Sequence, residues 1–214
     1  MEHNWINRLE RKIPWLVIPS LPIVLVILQL FGTITLSLNE KASSRMEFRP
    51  EFELLSAEPW RFFTFIGLPL SDSFWQVIAI IFLYYIVSIL VSQWGEFKTS
   101  LYFLISYFVT ITYSMAVGYP ITSFREIELS LFLAAALLFP QQEILLFFII
   151  PVKLIWIAIF TGALLTWQFV VNPPIVKFYM LAVFSNFAIF FLPALLDSFK
   201  TWQRRQKFKD QWKD

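Results

Sequence analysis

Apolar runs separated by short polar stretches organise this chain. Six runs stand out, at residues 13–38, 74–91, 101–117, 127–139, about 154–171 and 175–196. A helix needs about 20 apolar residues to cross a bilayer core, so each run reads as a membrane span, the fourth a short one ending at Pro140. SQWGEFKTS, with Trp94 and Gly95, predicts a tight turn between the second and third spans. Asn172-Pro173-Pro174 predicts another between the fifth and sixth. Pro14, Pro19 and Pro22 fall in the first turns of the first span, where a missing N–H costs least. Arg8, Arg11 and Lys12 before it resemble a signal-peptide start, but the run is too long for a signal core and no cleavage pattern follows. The expected fold is therefore all-α and polytopic, without internal repeats. Residues 1–198 form one membrane domain, with a first outer loop at 39–72, and 199–214 form a basic tail.

Composition agrees. Of the 214 residues 58% are hydrophobic and 15% charged, where a soluble domain carries about a quarter charged. Cysteine is absent, which removes disulfides, thiolate nucleophiles and Cys metal sites. A net charge of +2 does not point to nucleic acid. With both termini inside, the inner flanks hold 11 Lys and Arg and the outer flanks 6. That bias favours cytoplasmic ends. Six of the inner cations lie in the tail, among them Arg204, Arg205, Lys207 and Lys209. The tail could grip anionic lipid or a partner, or simply serve orientation.

The outer loop carries unusual chemistry. Its second half, FRPEFELLSAEPWRFFTF, interleaves charge with aromatics. Trp and Phe favour the interfacial belt, so the loop is expected to lie in the outer interface, either as a connector or as a dedicated element.

Glu58-Pro59-Trp60-Arg61 after the first span has the form of the embedded-loop motif of the rhomboid family. LYYIVSILVSQWGEFKTSLYFLISYF, ALLFPQQEILLFFIIPVKLIWIAIF and the basic tail are similar to further rhomboid segments, so the resemblance covers roughly 57–212. It implies a six-helix rhomboid-like bundle in which the loop enters the bilayer sideways. Trp60 and the Phe62-Phe63 pair then face lipid, and Arg61 binds loop carbonyls.

The catalytic pattern of that family is missing. Rhomboid proteases use a Ser in Gly-x-Ser-Gly on the fourth span and a His on the sixth. Alignment back from Pro140 puts the nucleophile slot at Arg125 or Glu126, in SFREIELSLF. Asn186 stands at the His position, followed by Ala188 and Ile189 where glycines are expected. Gln76 and Ile80 occupy the oxyanion positions on the second span, and the one histidine is His3. A serine hydroxyl needs a base within hydrogen-bond reach, and asparagine supplies none. A Ser123–Lys177 or Ser130–Lys177 dyad is conceivable; the plainer reading has Ser130 bonding back to a helix carbonyl and Lys177 snorkelling to the interface. No metal or cofactor is expected.

The expectation is a rhomboid-like pseudoprotease, not an enzyme, that binds transmembrane segments of client proteins. Gln76, Ser185 and Asn186 either fill the former cavity or line a client groove. The alternative is a fixed accessory subunit of a membrane complex; a protease with a non-standard dyad ranks below both. The resemblance implies a bacterial inner membrane.

Overall fold

A computed structural model of the chain describes residues 4–69, 74–146 and 150–192. The basic tail at 199–214 lies outside the described residues, with Arg204, Arg205, Lys207 and Lys209, as do His3, Asp72 and the end of the sixth run.

Helix α1 (Asn4–Lys12) is short and amphipathic. Ile6 is buried, whereas Arg8, Arg11 and Lys12 are exposed. A 3-10 turn follows at Pro14–Leu16, and α2 (Leu21–Leu38) begins only at residue 21. The first run is thus not one helix from residue 13. Pro14, Pro19 and Pro22 cannot donate N–H groups, and Ser20 takes a left-handed φ of 51° immediately before α2. Ser100 Oγ accepts the free Ile18 N–H at 3.0 Å, which ties this entry segment to the residue just before the third apolar run.

The outer loop folds into short pieces: a 3-10 turn at Glu40–Ala42, α3 (Ser43–Met46), α4 (Phe52–Ala57), α5 (Arg61–Thr64) and a 3-10 turn at Phe65–Gly67. Two glycines let this loop sit directly on α2. A Cβ on Gly32 would meet Gly67 O at 1.7 Å, and one on Gly67 would meet Leu28 O at 2.6 Å. Phe48 and Ile121 exchange backbone hydrogen bonds of 3.0 and 2.8 Å, which joins the loop to the segment after the third run.

The second and third runs lie in α6 (Phe74–Val117), whose 44 residues would measure about 66 Å if straight. The backbone leaves helical geometry at Gly95, with φ 80° and ψ 169°, a region in effect reserved for glycine. Two arms result, 74–94 and 96–117. Trp94 packs its ring against Tyr102, Phe190 and Phe191.

Helix α7 (Arg125–Leu138) has 14 residues, about 21 Å, and buries Ala134, Ala135 and Ala136. The apolar stretch after Pro140 is not a plain linker. Strands β1 (Glu143–Leu146) and β2 (Ile150–Lys153) pair antiparallel, with Glu143 opposite Lys153. Four-residue lengths and branched residues favour strand over helix here.

Helix α8 (Leu154–Val171) is buried only at Leu154 and Ala158. The last run is bent. Helices α9 (Pro174–Val183) and α10 (Ser185–Leu192) meet at 49°.

By length and composition, Pro14–Leu38, Trp75–Val117 and Leu154–Val171 can each cross a membrane, and α9 with α10 makes a fourth candidate. The chain is thus a mainly helical membrane protein, with three or four spanning candidates among the described residues. The count of six rests on dividing α6 at Gly95 and on admitting the short α7. One core runs through the molecule, with Tyr102, Phe48, Phe65, Phe124 and Phe190 among its largest fully buried side chains.

Candidate functional site

Three polar centres sit inside this apolar frame. The first is built on Arg61, which is 4% exposed. Its Nε donates to Glu58 Oε2 at 2.6 Å, and its Nη2 pairs with the same carboxylate. Its Nη1 donates to the carbonyls of Ser44 and Glu47 at 2.7 and 2.8 Å. The guanidinium fork suits this work because it presents five donors in one plane. Thr64 Oγ1 donates to Met46 O at 3.1 Å, and Tyr107 OH donates to Phe62 O at 2.6 Å. Between them these bonds satisfy loop carbonyls that hydrocarbon could not. Trp60 and Phe63 are exposed on the outside, while Phe62 is half-buried against Phe48.

The second centre joins α6, α7 and α10. Asn186 and Ser130 are fully buried. Ser130 Oγ donates to Asn186 Oδ1 at 2.9 Å. Since that donation uses the single Ser130 hydroxyl proton, Tyr102 OH is the donor to Ser130 Oγ at 2.8 Å, and it also reaches Ser130 O at 3.0 Å. Asn186 Nδ2 donates to Tyr102 O at 3.1 Å, and Asn186 Oδ1 also accepts the Phe187 N–H at 2.7 Å. These partners fix the amide orientation, because the flipped form would set N–H against N–H.

The bend in the last run belongs to this centre. Phe187 N–H turns to the Asn186 side chain, which releases the Val183 carbonyl from its helix partner. Ser106, itself fully buried, donates to that carbonyl at 2.8 Å. Ser185 Oγ is buried and has no hydrogen-bond partner among the described residues.

The third centre links α2, α6 and α7. Gln29 is 0% exposed and Gln76 1%. Gln76 Nε2 donates to Gln29 Oε1 at 2.9 Å. Gln29 Nε2 then donates to Ile66 O at 2.7 Å and to Glu128 Oε1 at 3.3 Å.

Gln76 and Asn186 therefore belong to different centres. Each is buried and bonded, so neither presents a polar face to an incoming helix. Ser130 bonds across to another helix and not back to its own carbonyl. Of the nucleophile-slot residues, Arg125 is exposed and Glu126 half-buried. Ser123 Oγ accepts the Arg125 N–H at 3.0 Å, a local turn bond. Lys177 is half-buried in the first turn of α9, and among the described residues it makes no hydrogen bond to Ser123 or Ser130. Tyr119, in the connection before α7, has its phenol pushed above the ordinary value by burial, then by the negative charge of Glu126 and by Tyr113.

A surface cleft of about 410 Å³ lies beside the Phe48–Ile121 bridge, lined by Glu47, Arg49, Glu51, Gly118 and Thr122 among others. Among the described residues no three His, Cys, Asp or Glu side chains gather as metal ligands.

Sequence reasoning missed Tyr102, Gln29 and Glu128 as members of these centres. Gln29 carries a signal, being a carboxamide midway along an 18-residue apolar helix. Tyr102 carries none, because a tyrosine in a span is ordinary packing material.

No family model matches the chain, and neither a curated protein nor a solved structure is matched by it.

Proposed function

We propose that this chain is a catalytically inactive rhomboid-like membrane protein that binds transmembrane segments of partner or client proteins. In this reading the two arms of α6 are the second and third spans, α7 is the short fourth, and α9 with α10 is a bent sixth. Both termini face the cytoplasm of a bacterial inner membrane.

One observation carries the non-catalytic half of the reading. The Ser130 hydroxyl donates to an amide oxygen within a closed, fully buried network. An amide oxygen cannot hold the proton that an attacking serine must lose, so the hydroxyl stays a poor nucleophile. Tyr102 and Asn186 clamp it further by hydrogen bonds that are costly to break away from water.

The binding half draws support from α8. Beyond Ala158 it has no buried residue, and Ile159, Phe160, Leu164, Trp167 and Val170 are exposed. A helix so weakly held to the bundle leaves room for another helix to lie alongside it. The short α7 adds a mismatch of roughly 9 Å against a hydrocarbon core of about 30 Å, which thins or disturbs the bilayer beside it.

The test is reconstitution in lipid vesicles with a panel of synthetic transmembrane peptides. Saturable binding with every peptide intact supports the proposal. Cleavage that stops on Ser130→Ala or Ser123→Ala overturns it. A single stoichiometric partner on copurification, with no peptide bound, favours an accessory subunit instead.

A further inference from the structure

Glu128 is the group that the structural centres leave unbalanced. Its carboxylate lies 3.3 Å from Gln29 Nε2, and Gln29 is the ninth of the 18 residues of α2. The carboxylate therefore sits well inside the apolar layer. Among the described residues its one side-chain hydrogen bond comes from an amide that already serves Ile66 O. Among the described residues the ion pairs are Arg49–Glu47 and Arg61–Glu58, so none of the described cations pairs with Glu128. As a residue it is not fully enclosed, in contrast to the glutamines behind it. Gln76 holds Gln29, and Gln29 holds the carboxylate, which fixes its direction before any partner arrives.

We propose that Glu128 receives a lysine or arginine carried within the transmembrane segment of a client. This rests on the client-binding reading above and narrows it to segments with a basic residue inside the apolar stretch. The argument is one of complementarity. A carboxylate at membrane depth is costly without a counter-charge, and so is a lone cation on a client helix. Bringing the two together relieves both, and the part of Glu128 left uncovered is where a client helix would approach it.

The probe is a leucine–alanine transmembrane peptide with one lysine moved through successive turns, compared with its lysine-free parent and with a glutamate version. Binding to the full-length protein in bicelles is read by fluorescence energy transfer. The best-placed lysine should bind about tenfold or more tighter than the parent, as expected for a hydrogen bond to a charged group, and the glutamate version weaker than the parent. Glu128→Gln should erase the lysine advantage, and Glu126→Gln should keep it. Equal binding of lysine and parent peptides by the unmodified protein overturns the inference without recourse to any variant. An advantage that survives Glu128→Gln does so too. If no peptide binds at all, the client reading itself falls along with this one.

Discussion

Replacing Gly32 by alanine tests the docking of the outer loop on α2. The added Cβ would lie 1.7 Å from Gly67 O, 2.5 Å from Gly67 C and 3.0 Å from Gly67 Cα. All three are backbone atoms, so no side chain can swing aside. Ordinary contact needs about 3.4 Å, so the loop and α2 must part by roughly 1.7 Å. That movement stretches the 2.7 Å bond from Gln29 to Ile66 O past hydrogen-bond range and leaves the buried carbonyl unpaired. Overpacking costs about 1–3 kcal/mol, and an unsatisfied buried acceptor about as much again. The combined loss should be about 3 kcal/mol or more. Gly162→Ala is the matched control, because nothing lies within 4 Å of its Cβ. It should be neutral or stabilise slightly, since alanine favours helix by up to about 1 kcal/mol. Thermal unfolding of both variants in the same detergent gives the comparison. An unchanged midpoint for Gly32→Ala would refute the reasoning, because no loop seated on Gly32 could absorb that atom.

Other substitutions address the remaining centres. Gly95→Ala meets no neighbour, yet it forces a φ of 80° on an L-residue, so unfolding measurements should show a loss of about 1–3 kcal/mol from the backbone alone. Arg61→Ala strands the Glu58 carboxylate and the Ser44 and Glu47 carbonyls and should cost about 3–5 kcal/mol, and proteolysis of the loop at 40–60 should quicken in step. Ser106→Ala removes the donor to Val183 O and should cost about 1 kcal/mol, with faster amide exchange around residue 187 as its local signature. Asn186→His should not create a protease, because the Ser130 hydroxyl would stay fully buried; labelling by a serine-directed fluorophosphonate is the check.

Some of this architecture is legible in the chain and some is not, for physical reasons. Apolar runs of span length mark α2, both arms of α6 and α8, because a bilayer demands that length. Gly95 in a polar gap between two such runs marks a break in the helix, and its positive φ is there. The division of the first run is harder to read. Prolines are tolerated in an opening turn, so their presence alone does not say that the helix waits until Leu21. The bend after Val183 has no proline or glycine to announce it. It depends on Asn186 capping its own neighbour and on Ser106 arriving from 77 residues away. The same limit applies to the polar centres. Gln76 and Asn186 stand out as polar residues in spans, but their partners Gln29, Tyr102 and Ser130 follow from which helix faces meet. Spacing along a sequence does not carry that information. The β1–β2 pair illustrates a third limit, since branched residues and short length favour strand but do not say which segment is the partner.

The central claim is that this chain holds membrane helices without cutting them. Intact-mass measurement of the reconstituted protein, incubated together with a bound transmembrane peptide and a fluorophosphonate, tests it most directly. The account predicts two unchanged masses alongside saturable binding. A shortened peptide, or a phosphonate adduct on Ser123 or Ser130, would contradict it.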